Sequence, residues 1–286
     1  MKNFKKIMAF MVTGVFMAGV LSGCGSSVGN PSSTSEKDTE KTEISGKIGM
    51  SGSTSMEEFA KAIAEGFNAK YPNVSIDVQL GGSSTGIKNT QTGVSDIGNV
   101  SRALKDTETG LNATIVALDG IAVIVNTKNT IEDLTAEQIH DIYVGKITNW
   151  KELGGSDGKI TVVGREAGSG TRDGFEGVAG IKDDARHDQE LTSTGAVQTA
   201  VASTPGAIGY VSFANINDTV KTLKIGGVAP SESTVKDGSY TFQRPFVMVT
   251  NTTKEIRPEV QTFLDFILSD EGQSIASQIG LVSVGK

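Results

Sequence analysis

The sequence predicts an α/β fold in which strands alternate with helices and most strand pairs are parallel. Apolar or alternating segments that suit strands recur along the chain, and amphipathic segments that suit helices separate them. Several strand segments end in a turn rich in glycine, serine and threonine, after which a helix begins. Ligands of α/β sheets bind beyond the carboxyl ends of the strands, so these turns are candidate binding loops.

Composition limits the partners that this chain can have. Its 286 residues, 37% of them hydrophobic, suit one or two globular domains with a sizeable core. The formal charge is -7, and because the N-terminal segment is basic the remainder is more acidic still. This balance argues against nucleic acid as a partner, although local neutral donors can still bind a small anion. The single cysteine excludes an intrachain disulfide, and the two distant histidines predict no metal site and no other cofactor.

The N-terminus is typical of a lipoprotein. Residues 1–23 form a predicted signal peptide, with a basic start and an apolar stretch at 7–21 that is too short for a comfortable membrane span. The tetrapeptide Leu-Ser-Gly-Cys at 21–24 resembles a bacterial lipobox, so Cys24 is predicted to be lipidated and to anchor the protein outside the cell membrane. Residues 24–43 are poor in large apolar side chains and predict a flexible tether.

The predicted strands follow from apolar periodicity. Residues 74–80 alternate apolar and polar side chains, which indicates one buried face, whereas 121–126 is almost wholly apolar, as in a strand buried on both faces. The other predicted strand segments are 47–50, a short strand within 96–102, 160–163, 207–213 and 245–250.

The predicted helices follow from apolar residues three and four apart. One helix carries Phe59, Ile63 and Phe67 on one face, with Ser55 and Glu58 at capping-box spacing. Thr135 is the expected N-cap of another. The predicted helical segments after the first are one that begins near 87, then 134–143, 196–202, 260–268 and 272–279.

The turn at 164–172 has the composition of an anion cradle. It joins a predicted strand to a predicted helix, so free N–H groups and the positive end of the helix dipole would face a guest. Arg165 adds a planar fork of donors that suits an oxyanion. The alternative is a surface turn with unrelated polar residues. Similar turns at 51–54 and 81–86, and a polar turn at 101–102, follow other strands, and this convergence favours a shared oxyanion site.

Short segments in one order resemble a known family. They are GSTS at 52–55, GSSTG at 82–86, DIG through SR at 96–102, DG at 119–120, DIYVGKITNW at 141–150, REAGSGT at 165–171 and GAIGY at 206–210. Each is weak alone. In this order and behind a lipobox they resemble the phosphate-binding lipoproteins of bacterial phosphate ABC transporters, the PstS type of substrate-binding protein.

The resemblance implies a two-lobed periplasmic-binding-protein-like fold (type II), with two mixed sheets flanked by helices. Two hinge crossings are expected, near 123–126 and 244–249. Lobe 1 would comprise 44–124 plus 246–286, and lobe 2 would comprise 125–245.

The resemblance also implies a function without enzymatic activity. Inorganic phosphate would bind, dehydrated, in the interlobe cleft, and the closed protein would deliver it to the membrane permease and ATPase subunits of a phosphate ABC transporter. The protein would be extracytoplasmic and held at the cell membrane through Cys24.

Carried over residue by residue, the resemblance implies a set of phosphate donors. They are Thr54, Ser84, Arg165, Ser169, Gly170 and Thr171, with Ser53 and Ser83 as adjacent alternatives to Thr54 and Ser84.

One departure from the family pattern concerns the proton of the phosphate. Some members carry an aspartate in the turn that here contains Ser101 and Arg102, where it accepts that proton and repels sulfate. Ser101 can donate or accept a hydrogen bond, and Arg102 can pair with the anion or hold a nearby acid. Asp119 is the candidate acceptor, although it could instead form a turn with Gly120. Glu166 is expected to orient Arg165.

Three rival functions are open. Residues 82–86 also fit the Gly-x-Ser-x-Gly elbow of a serine hydrolase that would use Ser84. That reading needs a nearby histidine, but His140 and His187 are predicted to lie at the surface. A second rival binds another oxyanion, such as sulfate, molybdate or phosphonate. A third is a phosphate sensor or scavenger without a permease.

Overall fold

The computed structural model describes residues 44–182 and 184–284. The predicted signal peptide, the predicted lipidation site at Cys24 and the predicted tether lie outside the described residues. Within the described part of the chain, no helix is both long enough and apolar enough to cross a membrane.

The strands and helices alternate as the sequence predicts. The strands are β1 (Gly46–Gly52), β2 (Val74–Leu80), β3 (Ile97–Val100), β4 (Leu111–Asn126), β5 (Asp133–Leu134), β6 (Thr161–Arg165), β7 (Gln189–Leu191), β8 (Ala207–Ser212), β9 (Val220–Thr222), β10 (Lys224–Ile225) and β11 (Gln243–Asn251). The α-helices are α1 (Glu57–Lys70), α2 (Ser83–Thr92), α3 (Ala136–Tyr143), α4 (Gly170–Ala179), α5 (Thr194–Ser203), α6 (Glu232–Lys236), α7 (Pro258–Leu268) and α8 (Asp270–Gln278).

The main sheet is mixed. Its order is β2-β1-β3-β11-β4-β8-β6-β7, with β9 also paired to β4, while β5 and β10 form a separate parallel pair. The pairs β1/β2, β1/β3, β6/β7 and β6/β8 are parallel. Every pair that includes β4 or β11 is antiparallel. The predicted α/β class with mixed pairing is confirmed.

Strand β4 joins two halves of this sheet. Its residues 111–120 pair with β11, whereas 121–126 pair with β8 and β9. The first half is therefore β1, β2, β3, β11 and residues 111–120, and the second half is β6 to β9 with residues 121–126. Asp119 and Gly120 lie inside this continuous strand, so they do not form the turn that was one of their two interpretations.

Each half has its own hydrophobic core. In the first half, α1 and α7 pack together through Phe67 and Phe263, whose rings meet edge to face with centroids 5.0 Å apart. In the second half, Phe175 of α4 stacks on Tyr210 of β8 with centroids 4.1 Å apart. Aromatic burial of this kind contributes strongly to core energetics, so these contacts stabilise the packing of helices within each half.

Two local predictions need correction. The capping box of Ser55 and Glu58 is wrong, because 54–56 form a 3₁₀ turn and α1 begins at Glu57 without a side-chain cap. Helix α2 begins at Ser83 rather than near 87, because Gly82 adopts a φ of 81°, which lets the chain turn directly from the strand into the helix. The Thr135 N-cap is confirmed.

Candidate anion-binding site

Three helices begin at the same place, beyond the carboxyl ends of the strands. Helix α2 follows β2, α4 follows β6 and α5 follows β7, and their first residues are Ser83, Gly170 and Thr194. All three of these residues are buried. The first N–H groups of an α-helix have no partner inside the helix, and the helix dipole is positive there. Such a meeting of N-termini favours a negatively charged guest.

A group of serine hydroxyls lies between these helix ends. Ser101 Oγ accepts a hydrogen bond from Ser53 Oγ at 2.8 Å and lies 3.3 Å from Ser83 Oγ. The Ser101 backbone N–H donates to Ser83 Oγ at 3.1 Å. All three side chains are buried, so these hydroxyls are shielded from bulk water.

Gly170 brings the start of α4 against these hydroxyls. A Cβ atom added to Gly170 would lie 2.2 Å from Ser83 Oγ and 2.6 Å from Ser101 Oγ. A side chain at this position would force Ser83 and Ser101 to shift, so glycine favours this close approach. The predicted proximity of the 164–172 turn to the other polar turns is therefore observed.

A second polar contact joins Thr54 to the start of α5. Thr54 Oγ1 lies 3.2 Å from Thr194 Oγ1 and accepts a hydrogen bond from the Thr194 backbone N–H at 3.3 Å. Arg165 Nη1 donates to Thr194 Oγ1 at 3.4 Å. The adjacent alternatives Ser53 and Thr54 thus both take part in the site.

Arg165 is buried and held in one orientation. Its Nε and Nη2 donate to the two carboxylate oxygens of Glu166 at 3.1 and 2.9 Å, and Nε also donates to the Leu191 carbonyl. Its backbone N–H donates to the Tyr210 hydroxyl at 3.2 Å, and burial raises the pKa of that hydroxyl, so it stays protonated. The prediction that Glu166 orients Arg165 is confirmed. Nη1 is the part of the guanidinium that faces Thr194.

The first turn of α4 carries two more of the expected donors. Ser169 is the N-cap, and its Oγ accepts a hydrogen bond from the Arg172 backbone N–H. Thr171 Oγ1 is buried without a hydrogen-bond partner among the described residues. Leaving a buried hydroxyl unsatisfied costs about 1–3 kcal/mol, so this atom indicates a site built to receive a polar guest.

Ser83 and Ser84 have different positions. Ser83 faces the serine hydroxyls, whereas Ser84 is half-buried and its backbone N–H donates to the Gly168 carbonyl at 3.1 Å. This bond joins the loop after β2, in the first half, to the loop after β6, in the second half. The two loops therefore touch directly in this structure.

Arg102 binds acids rather than the serine hydroxyls. Its Nη1 and Nη2 donate to the Glu108 carboxylate at 2.8 and 2.7 Å, and its Nε lies 2.7 Å from Asp173 Oδ2. Two roles were predicted for Arg102, and the structure shows the second one, in which it pairs with nearby acids.

Asp119 is fully engaged by two neighbours. Its Oδ2 accepts hydrogen bonds from Arg244 Nε and Nη2 at 3.0 and 2.9 Å, and its Oδ1 accepts one from Ser212 Oγ at 2.8 Å. Burial raises the pKa of the Asp119 carboxyl, while the Arg244 charge and the Ser212 hydrogen bond oppose that rise.

Sequence reasoning missed Arg244 and Thr194. Arg244 donates through Nη1 to Ser101 Oγ at 3.3 Å. Its signal was an arginine immediately before an apolar strand, where a charged side chain needs a partner. Thr194 follows Ser193 just before a predicted helix, the same hydroxyl-rich pattern that marked the other binding turns.

Neither histidine contacts Ser84. His140 lies on α3 and pairs with Asp141 at 3.0 Å. The surface prediction for His187 is wrong, because only 1% of its side chain is exposed and its ring meets Tyr143 edge-on. Its polar neighbours are Glu190 and Glu176, so the arrangement expected of a serine hydrolase is not formed at Ser84.

Comparison with known proteins agrees with the fold. The family model described as a PBP superfamily domain matches residues 34–271, which defines the class as a solute-binding protein of that superfamily. The Phosphate-binding protein PstS of Bacillus subtilis (strain 168) is 33% identical over 302 residues, covering 99% of this chain and 95% of the relative. The chain belongs to the PstS family of phosphate-binding proteins.

Two solved structures of similar chains extend this comparison. One, with bound phosphate, is described as a phosphate ABC transporter substrate-binding protein from Clostridium perfringens. It is 43% identical, with a TM-score of 0.79 over 84% of this chain and 100% of its own. The other is an ABC-type phosphate transport receptor from Vibrio cholerae. It is 32% identical, with a TM-score of 0.68 over 83% of this chain and 100% of its own.

Proposed function

We propose that this chain binds inorganic phosphate where α2, α4 and α5 begin, and delivers it to the permease of a phosphate ABC transporter. The observation that carries this proposal is the convergence of three buried helix N-termini on a group of hydroxyls beside Arg165. A dehydrated oxyanion needs many short-range donors, because its charge cannot be buried without them. Thr171 Oγ1, buried without a partner among the described residues, supplies one more donor.

Binding is coupled to closure of two lobes. Lobe 1 comprises residues 44–124 plus 246–286, lobe 2 comprises 125–245, and β4 and β11 act as the hinge crossings. The hydrogen bond from Ser84 to Gly168 and the contact between Thr54 and Thr194 link residues of the two lobes, which supports a closed form around the anion. The phosphate donors are Ser53, Thr54, Ser83, Ser84, Ser101, Arg165, Ser169, Gly170 and Thr171.

The protein works outside the cell membrane as a tethered carrier. Lipid on Cys24 holds it at the membrane, and residues 24–43 let the folded part reorient towards the permease and ATPase subunits. Its family consists of phosphate-binding proteins, so the role proposed for it is binding rather than catalysis.

Titration calorimetry of the purified full chain with phosphate, sulfate and arsenate tests this function. Phosphate should bind most tightly. Arg165→Ala should weaken phosphate binding by about a hundredfold, because it removes charge-assisted hydrogen bonds from a buried site. The exposed Arg186→Ala is the matched control and should bind as the wild type does. If sulfate binds more tightly than phosphate, then sulfate rather than phosphate is the ligand. Unchanged phosphate affinity of Arg165→Ala would reject the proposed site.

A further inference from the structure

We propose that Arg244 is a second anion-binding guanidinium of this site, and that Asp119 is its counter-ion rather than the acceptor of the phosphate proton. This inference rests on the proposed function, because it assigns roles within the same site. Arg244 and Asp119 are directly opposite each other in the antiparallel pair of β11 and β4.

Arg244 reaches the anion-binding hydroxyls. Its Nη1 donates to Ser101 Oγ, the same oxygen that accepts from Ser53 and lies beside Ser83. Ser101 Oγ is also one of the atoms with which a side chain at Gly170 would clash. The guanidinium therefore borders the point at which the helix starts and the hydroxyls meet.

Protein groups alone hold the guanidinium in one orientation. Asp119 holds Nε and Nη2, and Ser212 holds the other carboxylate oxygen. The guanidinium carbon lies 5.4 Å from the centre of the Phe246 ring. Gly174 of α4 leaves room for the arginine stem, since a Cβ there would lie 3.3 Å from Arg244 Cδ. Preorganised donors of this kind lose little freedom on binding.

Donor capacity remains on Arg244 after these contacts. A guanidinium has more N–H groups than the bonds to Asp119 and Ser101 use, and the unused ones lie on Nη1 and Nη2. Arg165 has the same design, with Glu166 on Nε and Nη2 and Nη1 directed to the site. Each arginine thus donates from Nε and Nη2 to one carboxylate and has further N–H groups available for the anion.

Asp119 is unsuited to receive the phosphate proton. Both of its oxygens already accept hydrogen bonds, and Arg244 lies between its Oδ2 and Ser101. To accept from the anion, the carboxylate would have to release Arg244 and leave a buried cation unpaired, which is costly. Selectivity for phosphate over sulfate therefore does not depend on Asp119.

The test uses the full chain and two variants. The double variant Arg244→Gln/Asp119→Asn replaces the ion pair by a neutral hydrogen-bonded pair, so no buried charge is left alone. It should bind phosphate at least about tenfold more weakly than the wild type, because a charge-assisted donor is lost. Asp119→Asn alone should keep the ratio of phosphate to sulfate affinity within about threefold. Arg257→Gln, a half-exposed arginine paired with Asp96 and Glu259, is the control.

Each result decides the inference. Wild-type phosphate affinity in the folded double variant would make Arg244 a purely structural residue. A fall of about tenfold or more in the phosphate-to-sulfate ratio of Asp119→Asn would make Asp119 the proton acceptor. If the double variant does not fold, a crystal structure of the wild type with phosphate decides: Arg244 Nη1 or Nη2 should lie within hydrogen-bonding distance of a phosphate oxygen, and an Asp119 oxygen there instead would overturn the inference. Failure of the wild type to bind phosphate would reject the proposed function, and the same variants would then be measured with sulfate or arsenate.

Discussion

Asp173 Oδ2 lies 2.7 Å from Arg102 Nε, and this ion pair joins helix α4 of the second half to the turn that follows β3 in the first half. Lys105 Nζ approaches the same oxygen at 2.8 Å. Asp173 is three residues after Gly170, so the contact lies beside the site. We infer that these charges help to hold the closed form.

Asp173→Asn should therefore weaken phosphate binding about three- to tenfold. Partly exposed ion pairs contribute about 0.2–1 kcal/mol each, and two are lost here. Part of the effect should be lost as salt is added, because the Lys105 charge is exposed and is therefore screened. Calorimetric titration at low and high ionic strength measures both. Asp270→Asn, an exposed aspartate in the first turn of α8, is the control. Equal affinity of Asp173→Asn and the wild type at low salt would contradict this role.

Gly170→Ala should greatly reduce phosphate affinity while the protein stays folded. The added methyl group would lie 2.2 Å from Ser83 Oγ, so α4 could not approach the first half. We expect a loss of about a hundredfold, consistent with closure being blocked. Gly177→Ala, in the same helix with no atom within 4 Å of its added Cβ, should bind normally. Circular dichroism checks folding of both variants, and normal affinity of Gly170→Ala would show that closure needs no such approach.

Thr171→Val should stabilise the unliganded protein and weaken the complex. Removal of a buried hydroxyl that lacks a partner among the described residues should raise the free energy of unfolding by about 1 kcal/mol. The same change deletes a donor to phosphate, so affinity should fall about tenfold. Urea unfolding and calorimetry give the two values. Thr252→Val, at an exposed position after β11, should alter neither by much. A destabilised Thr171→Val with full affinity would contradict the donor role.

His187 should make stability fall as the pH drops. Burial, and then the nearby Arg172 charge, lower the pKa of His187 in the folded protein, whereas Glu190 opposes this. The unfolded chain binds the extra proton near pH 6.5, so the stabilisation is complete above about pH 6.5 and is lost as the pH falls below it. The loss of melting temperature between pH 7 and pH 5 should be smaller in His187→Gln than in the wild type.

The groups around His187, of which Glu190 is exposed and Arg172 is half-buried, set the background of this measurement. They are Glu176, Glu190, Arg172, Tyr143 and Tyr210. Burial raises the pKa of Glu176, which acts in the opposite direction as the pH falls, but it does so in both proteins. The difference between the two pH profiles therefore reports His187. His140→Gln is the control, and identical profiles for the wild type and His187→Gln would reject the prediction.

Local patterns were enough to predict most of the elements and several residues of the candidate site. Alternation in 74–80 and the apolar run 121–126 indicate strands, since strand periodicity is visible within a few residues. Glycine and hydroxyl residues ahead of a helix indicate capping and anion binding for the same reason. Arg165 and the 168–171 turn were recognised from this local chemistry.

The chain by itself thus determined its strand-turn-helix units, its family and the turns that we propose to bind the anion. Only the tertiary structure decided which charges meet. Arg244 pairs with Asp119 across 125 positions of sequence, and Thr54 meets Thr194 across 140. Local sequence can mark these residues as polar positions that need partners, but it does not identify the partners, because the register of β11 against β4 and the approach of the two halves create the contacts. The same long-range packing buries His187 and turns Arg102 towards Glu108 and Asp173.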